Sequence, residues 1–280
     1  MNAPLEVETA VAAALNYLVP TGEKPASYTY EPPAGKLWRS GRYEPQVMTI
    51  RDARPLIGRL SLDREGFDFV RRPTAVADFY DDAHAREVYY PEVERLVLEA
   101  TGAEKAAIFD HTLRSGALAE RRPDGLREAV KRVHNDYTEK SGPQRVRDLL
   151  PSEEAQRRLK GRFAFVNVWR PIYGPVEEAP LALADAQSMR PEDLVPSDLI
   201  YRDRVGETYA IAHDPAHRWF YFPRMQRDEA VLIKCYDSAR DGTARWSAHS
   251  AFEDPNTPSG AAPRESIEVR TIVFWPSPAA

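Results

Sequence analysis

The sequence has little cysteine and lacks long hydrophobic runs, and both shortages exclude classes of protein. Cys235 is the single cysteine in 280 residues, so the chain can form neither an internal disulfide nor a zinc site built on several thiolates. No apolar stretch approaches the roughly 20 residues of a membrane-spanning helix, and the N-terminus lacks the basic start and apolar core of a signal peptide. These features predict a cytoplasmic protein without a membrane partner.

An excess of positive charge is missing as well. The sequence has 38 lysines and arginines against 43 acidic residues, which gives a formal net charge of −5 and a pI of about 5.8. We therefore expect no nucleic-acid partner. The hydrophobic content of 42% is ample for a buried core. The sequence gives no indication of the oligomeric state.

Hydrophobic periodicity predicts a mainly β protein with flanking helices. Residues 78–100 show the 3.6-residue period of a helix. From residue 127 onward, short apolar or alternating runs are separated by turns rich in Pro, Gly and Asp, a pattern typical of a sandwich, barrel or jelly roll. The predicted strands cover residues 129–133, 163–169, 181–186, 208–212, 218–222, 230–236 and 266–275.

The first 45 residues are expected to differ from this β unit. Val11, Leu15 and Leu18 lie at helical spacing among alanines, and a proline-rich stretch without periodicity follows. We predict an N-terminal helix and an irregular arm over residues 1–45. This segment would pack on a single domain formed by residues 46–280.

The run VHNDYT at residues 133–138 holds an imidazole and a carboxylate two residues apart at a predicted strand end. Side chains at i and i+2 of a strand point to the same face, so His134 and Asp136 could bind one metal ion together. A second histidine from a distant strand would complete the 2-His-1-carboxylate triad that holds Fe(II) in oxygenases. Because His-x-Asp alone is a weak signal, the rest of the chain must supply that ligand.

Five other histidines are candidates for the third position. His84 falls in the predicted helix, and His111 lies upstream of the His-x-Asp motif. His213 and His217 flank a turn, where surface hydrogen bonding is the simpler interpretation. His249 fits best, because it lies at a predicted strand end, several strands downstream and just before the last strand.

The last predicted strand carries groups that suit a dicarboxylate cosubstrate. Arg264 and Ser266 share one face of an extended segment and could hold the distal carboxylate of 2-oxoglutarate by charge-assisted hydrogen bonds. Arg270 lies on the same face and is a competing candidate. A salt bridge to a neighbouring acidic residue is the alternative interpretation for either arginine.

Seven runs taken together resemble the family of the fungal gibberellin desaturases, the asaB-type hydroxylase/desaturases and the cephamycin 7-alpha-methoxylation protein. The runs are FDHTLR (109–114), VHNDYT (133–138), FVNVWRPIYGPV (165–176), PLALADAQS (180–188), HRWFYFPRMQRDEAVLIKCYDS (217–238), HSAFEDP (249–255) and RESIEVR (264–270). The resemblance spans most of the chain, and the motifs in series are far more specific than any one of them.

This resemblance implies a double-stranded β-helix, a cupin-like jelly roll, that uses Fe(II), 2-oxoglutarate and O2. Carried over by motif, His134, Asp136 and His249 would be the metal ligands, and Arg264 with Ser266 would hold 2-oxoglutarate. The expected function is hydroxylation, desaturation or oxidative cyclisation of a small molecule in specialised metabolism. The substrate does not follow from the resemblance.

Four residues within these runs are further candidates. Asn167 and Trp169 share a strand face, where Asn167 could hydrogen-bond the cosubstrate and Trp169 could form a wall of the pocket or simply belong to the core. His111 and Arg114 are candidate contacts for a polar or anionic substrate, although Arg114 could instead pair with Asp110.

Two other functions fit the same pattern. One is a metal oxygenase or lyase of the same barrel that does not use 2-oxoglutarate, which would form no succinate. The other is a non-catalytic jelly-roll binding module with structural histidines, which would not bind Fe(II) stoichiometrically.

Overall fold

Two curled β-sheets face each other in the computed structural model, which describes residues 9–115 and 129–276. The strands are β1 (Ala10–Val19), β2 (Ala26–Tyr28), β3 (Arg42–Asp52), β4 (Phe67–Arg71), β5 (Lys105–Ser115), β6 (His134–Asn135), β7 (Phe163–Pro171), β8 (Leu181–Ala184), β9 (Leu194–Ile200), β10 (Val205–Ile211), β11 (Trp219–Tyr221), β12 (Glu229–Asp237), β13 (His249–Ala251) and β14 (Glu265–Phe274). The helices are α1 (Tyr90–Thr101), α2 (Ser141–Leu149) and α3 (Ser152–Arg158), and α1 continues a helical turn at Asp82–His84 and a π-helical stretch at Ala85–Tyr89.

The strand order is that of a double-stranded β-helix. One sheet has the order β4-β12-β7-β14-β5, and the other has the order β1-β3-β11-β8-β13-β6-β10-β9-β2. Strands β5, β7, β12 and β14 of the first sheet face β6, β8, β11 and β13 of the second, and the chain crosses repeatedly between these two sets. The predicted jelly roll is confirmed, as are the helix near residues 78–100 and most of the predicted strands.

Strand β7 shows how the sequence divides its side chains between two buried layers. All nine of its residues are buried. Phe163 and Phe165 point between the sheets, and Val166 and Val168 point outward to the layer covered by α1. Because successive strand residues face opposite sides, Asn167 and Trp169 share the inner face with the two phenylalanines. Each fully buried large apolar side chain stabilises the fold by about 1.5–3 kcal/mol.

The predicted N-terminal helix is wrong, because residues Ala10–Val19 form strand β1. Val11, Ala13 and Leu15 are buried in alternation with exposed residues, which is a period of two. All ten residues of β1 pair with β3, so cross-strand pairing overrides the helical propensity of the alanines. Strand β3 spans residues 42–52 and therefore continues across the predicted domain boundary at residue 45.

Two further differences lie between β6 and β7. The predicted strand at residues 129–133 is reduced to a bridge at Arg132 and the two-residue strand β6. Helices α2 and α3 were not predicted, because they are short and highly polar and bury few side chains. Among the described residues, no helix combines the length and hydropathy needed to cross a membrane.

Candidate metal and cosubstrate site

His134 and His249 meet because two neighbouring strands place them directly opposite each other. In the ladder between β6 and β13, His249 pairs with His134, and their ring centroids are 4.4 Å apart. Asp136 follows two residues after His134 and returns to the same side of the chain. One ligand atom from each of His134, Asp136 and His249 lies within 4.8 Å of the others.

Both histidines are oriented by backbone carbonyls. The Nδ1 atom of His134 lies 2.8 Å from the carbonyl oxygen of Arg132, and the Nδ1 atom of His249 lies 3.3 Å from that of Ser247. A carbonyl accepts a hydrogen bond, so each ring carries its proton on Nδ1 and leaves the Nε2 lone pair free. Metal-binding histidines commonly have such partners, which fix the tautomer and the ring direction.

The two carboxylate oxygens of Asp136 face different groups: one faces the histidines, and the other contacts Asn167 and Arg270. Its Oδ1 atom lies 3.7 Å from Nε2 of His134. Its Oδ2 atom accepts a 2.8 Å hydrogen bond from Asn167 Nδ2 and lies 3.5 Å from Nε of Arg270. The oxygen that faces the histidines therefore remains available to a metal ion.

The protonation states also suit a metal site. Burial, together with the nearby His249 ring, lowers the pKa of His134 to about 3, so the imidazole is neutral at physiological pH. Burial alone would raise the pKa of Asp136, but the Arg270 guanidinium, the two histidine rings and the hydrogen bond from Asn167 together outweigh burial and hold that pKa below its usual range. The neutral imidazole of His134 and the ionised carboxylate of Asp136 suit the donor set of a non-haem Fe(II) centre.

A pocket that is partly open to solvent lies beside His134 and His249. Its apolar walls include Trp169, Leu181 and Ile233, and its polar lining is formed by Arg114, His134, His249, Ser250, Arg264 and Glu268. Apolar walls with a few polar groups are typical of small-molecule sites.

Arg264 lines this pocket, and Ser266 follows two residues later on the same face of the extended chain. The Nε atom of Arg264 and the hydroxyl of Ser266 are buried and have no hydrogen-bond partner among the described residues. The Nη1 atom of Arg264 donates to the carbonyl oxygen of Ala179, and its guanidinium lies over the Trp169 ring. Burial and the nearby Arg114 cation lower the pKa of Arg264 to about 10, so it remains charged at neutral pH. A buried cation beside an unsatisfied hydroxyl suits a carboxylate ligand.

Arg270 has a different environment from Arg264. Its Nη1 atom donates to Asp110 Oδ1 at 3.0 Å and to Thr112 Oγ1 at 2.9 Å, and its Nε atom faces Asp136. Although burial lowers it, the carboxylates of Glu268 and Asp136 raise the pKa of Arg270 well above its ordinary value. The guanidinium is thus engaged by protein groups, and the geometry favours Arg264 over Arg270 for a cosubstrate.

The predicted hydrogen bond from Asn167 to the cosubstrate does not fit this geometry. Its Nδ2 atom donates to Asp136 and, at 2.6 Å, to Glu268 Oε1. Only the buried Oδ1 atom remains without a partner among the described residues. Ionised 2-oxoglutarate has no N–H or O–H group to donate to that oxygen.

His111 does not face the cavity, and its assignment as a substrate contact is corrected. Its ring bonds the hydroxyl of Tyr90 at 3.0 Å and approaches Asp82 at 3.6 Å, on the helix-covered side of the sheet. The cause is a one-residue bulge in β5, where the register with β14 skips Phe109. Phe109 and Asp110 consequently both face inward, and every later residue of β5 changes side.

The other two predicted substrate contacts, Arg114 and Trp169, line the cavity. His217, interpreted from the sequence as a surface residue, is buried and bonds Asp193 and Tyr17 at 3.1 Å each. His84 is part-exposed and accepts from the backbone of Ala77.

Glu268 is a cavity residue that the sequence reasoning missed. It is buried on β14, two residues from Ser266 and two from Arg270. The even spacing 264, 266, 268, 270 was a signal that could have found it, since all four positions share one strand face.

The chain is similar to known oxygenases over most of its length. Residues 15–274 match the family model described as an oxidoreductase/YMDC permease-like domain. The hydroxylase/desaturase efuI of Hormonema carpetanum is 33% identical over 256 residues, covering 84% of this chain and 85% of that protein. The Fe(II)/2-oxoglutarate-dependent dioxygenase nvfI of Aspergillus novofumigatus is 33% identical over 255 residues, covering 88% and 90%.

The similarity extends to three dimensions. A solved structure of the iron and alpha-ketoglutarate-dependent endoperoxidase NvfI superposes with a TM-score of 0.86 at 28% sequence identity. The match covers 95% of this chain and 98% of that chain.

Proposed function

The chain belongs to the family of these hydroxylase/desaturases and Fe(II)/2-oxoglutarate-dependent dioxygenases, and on that premise we propose that it oxidises a small organic molecule at an iron held by His134, Asp136 and His249. The observation that carries the proposal is the approach of three ligand atoms, two from imidazoles and one from a carboxylate, to within 4.8 Å. Each ring uses Nδ1 for its backbone carbonyl, and within residues 9–115 and 129–276 the other ring nitrogen has no hydrogen-bond partner, which suits a resident metal ion.

Arg264 and Ser266 are proposed to hold the C5 carboxylate of 2-oxoglutarate. The buried Nε atom of Arg264 and the hydroxyl of Ser266 supply donors that have no protein acceptor among the described residues. A charged donor in a buried site binds a carboxylate more strongly than a neutral donor does. Trp169 covers the guanidinium and keeps it in one orientation.

When bound, Fe(II) and 2-oxoglutarate together supply the reduction of O2 that oxidises a C–H bond of the substrate, with release of CO2 and succinate. The side chains of the protein bind and orient the reactants and exclude water. Leu181, Ile233 and Trp169 form apolar walls beside the ligands, and these walls shield the reacting groups from bulk solvent. The position of the substrate carbon then decides between hydroxylation, desaturation and ring formation.

Arg114 and Trp169 are proposed to contact the organic substrate, because both line the cavity next to the candidate ligands. A guanidinium and an indole would accommodate a molecule that has a polar or anionic group and a flat apolar portion. We place the reaction in specialised metabolism, because a relative from Aspergillus oryzae that is 48% identical over 134 residues is named aspirochlorine biosynthesis protein N. The cytoplasmic location expected from the composition stays a prediction.

An anaerobic titration tests the proposal. Metal-free protein is mixed with Fe(II) and then with 2-oxoglutarate, and the visible charge-transfer band of a chelated keto acid is recorded. We expect the band to saturate at one equivalent of iron, and the His249→Ala variant to show no band. A band of full strength in that variant would show that His249 is not the third metal ligand. Iron binding without a band, and without succinate on exposure to air, would favour the oxygenase or lyase that does not use 2-oxoglutarate.

A further inference from the structure

Glu268 is a buried carboxylate in the cavity for which the proposed chemistry has no use. It is 6% exposed, and it lies within the same lining as His134, His249 and Arg264. An ionised group in such a place costs free energy unless it is paired. Its presence next to the candidate ligands therefore requires a physical explanation.

The charge of Glu268 is balanced by the Arg270 guanidinium, whose pKa it raises, and its hydrogen bond comes from Asn167. The Nδ2 atom of Asn167 donates to Glu268 Oε1 at 2.6 Å and to Asp136 Oδ2 at 2.8 Å. A primary amide has two N–H groups, and here each group is assigned to a different carboxylate. If the amide rotated by half a turn, its oxygen would face two anions, so the two carboxylates together determine its orientation.

Asp136 also contacts the guanidinium of Arg270. The Nε atom of Arg270 lies 3.5 Å from the same Oδ2 atom, and the guanidinium is held on its far side by Asp110 and Thr112. The contacts of Asp136 with Asn167 and with Arg270 thus both fall on Oδ2. The carboxylate is turned so that Oδ1 faces His134.

We propose that Asn167 is a positioning residue that presents Oδ1 of Asp136 to the metal, and that the negative charge of Glu268 holds the Asn167 amide in the orientation this requires. The inference rests on the proposed function, because it presupposes that Asp136 is a metal ligand. Neutralising Glu268 with glutamine would provide an N–H donor for the Asn167 oxygen. The amide could then rotate, and Asp136 would lose its shorter hydrogen bond.

Metal binding by the 280-residue chain tests this arrangement without an identified substrate. Co(II) is the probe, because its ligand-field absorption reports the number and geometry of its ligands. Outer partners of metal ligands typically contribute about 10- to 100-fold in affinity. We expect Glu268→Gln and Asn167→Leu each to weaken Co(II) binding within that range and to change the absorption spectrum.

Thr271→Val is the matched control. Thr271 is buried on the same strand but faces the other side, where its hydroxyl donates to the carbonyl oxygen of Val166 at 2.7 Å. The substitution should lower the thermal stability of the metal-free protein while leaving the Co(II) affinity and spectrum unchanged. This separates a loss of positioning from a general loss of stability.

Two results would overturn the inference. One is a Glu268→Gln variant with wild-type Co(II) affinity and spectrum, whatever Asn167→Leu does. If Glu268→Gln does not fold, Asn167→Ser is the second variant, because one hydroxyl cannot donate to two carboxylates. Wild-type Co(II) affinity in Asn167→Ser is the other result that would overturn the inference. Failure of the proposed function looks different, because wild-type protein would then bind no Co(II) or would bind it equally well after His249→Ala.

Discussion

The guanidinium of Arg264 lies over the face of the Trp169 indole, with its central carbon 5.6 Å from the ring centroid. Trp169 belongs to β7, and Arg264 directly precedes β14, the neighbouring strand in the sheet. The contact orients a buried cation whose Nε atom has no acceptor among the described residues. The same indole thus supports the proposed cosubstrate site and forms a wall of the cavity.

Arg264→Ala should therefore raise the concentration of 2-oxoglutarate needed for half-maximal activity. The loss of a charge-assisted contact of about 1.5–3 kcal/mol corresponds to roughly 10- to 150-fold. Steady-state succinate formation as a function of 2-oxoglutarate concentration measures the effect. Arg270→Ala is the comparison, because Arg270 contacts Asp136 and should affect metal affinity instead. If Arg270→Ala raised the required 2-oxoglutarate concentration strongly and Arg264→Ala did not, Arg270 would be the residue that holds the cosubstrate.

His134→Ala, Asp136→Ala and His249→Ala should each abolish iron binding while the fold is retained. Each substitution removes one of three candidate ligand atoms from a site that the two sheets already hold in place. Iron content after reconstitution, together with far-UV circular dichroism, measures both properties. His217→Ala serves as the control, because His217 bonds Asp193 and Tyr17 and should leave iron content unchanged.

Arg114→Ala and Trp169→Ala should uncouple the reaction once a substrate is known. In these variants 2-oxoglutarate is still consumed, but the target C–H bond is misplaced, and a displacement of about 1 Å can cost on the order of 100-fold in rate. The ratio of succinate formed to substrate oxidised is the measurement. His111→Ala should keep the wild-type ratio, because His111 faces Tyr90 on the other side of the sheet. Uncoupling in His111→Ala alone would contradict this account of the pocket.

The metal-free protein should lose stability as the pH falls below about 6.5. The structure lowers the pKa values of His111, His134 and His217, chiefly by burial, so each ring binds protons less readily in the folded state than in the unfolded state. Protonation of these histidines in the unfolded chain therefore lowers the free energy of unfolding below their ordinary pKa of about 6.5. The loss is up to roughly 1 kcal/mol per group between pH 6.5 and 5.5. Urea unfolding at the two pH values measures the difference. His134→Ala should make the dependence shallower, and an unchanged or steeper dependence would contradict the assignment to His134.

The sequence determined the local parts of the site. Two-residue spacing puts His134 and Asp136 on one side of the chain wherever that segment is extended, and the same spacing joins Arg264 to Ser266. The sequences of β7 and β12 likewise suffice to predict strands. Both are short, mainly apolar runs, and all nine residues of each strand are buried. The family resemblance added the cofactor chemistry.

Long-range pairing decided what local patterns left open. Ala10–Val19 has the composition of a helix but forms a strand, because β3 offers it a complete ladder. Phe109 is left unpaired in the ladder between β5 and β14, and this bulge turns His111 away from the cavity. The hydrophobic periodicity of the sequence does not predict the bulge. Glu268 and Asn167 acquire their relation to Asp136 only where β7, β14 and the end of β6 come together. Spacing along one strand fixes which side chains share a face, whereas the register between strands fixes which faces meet, and register is set by the packing of the whole barrel.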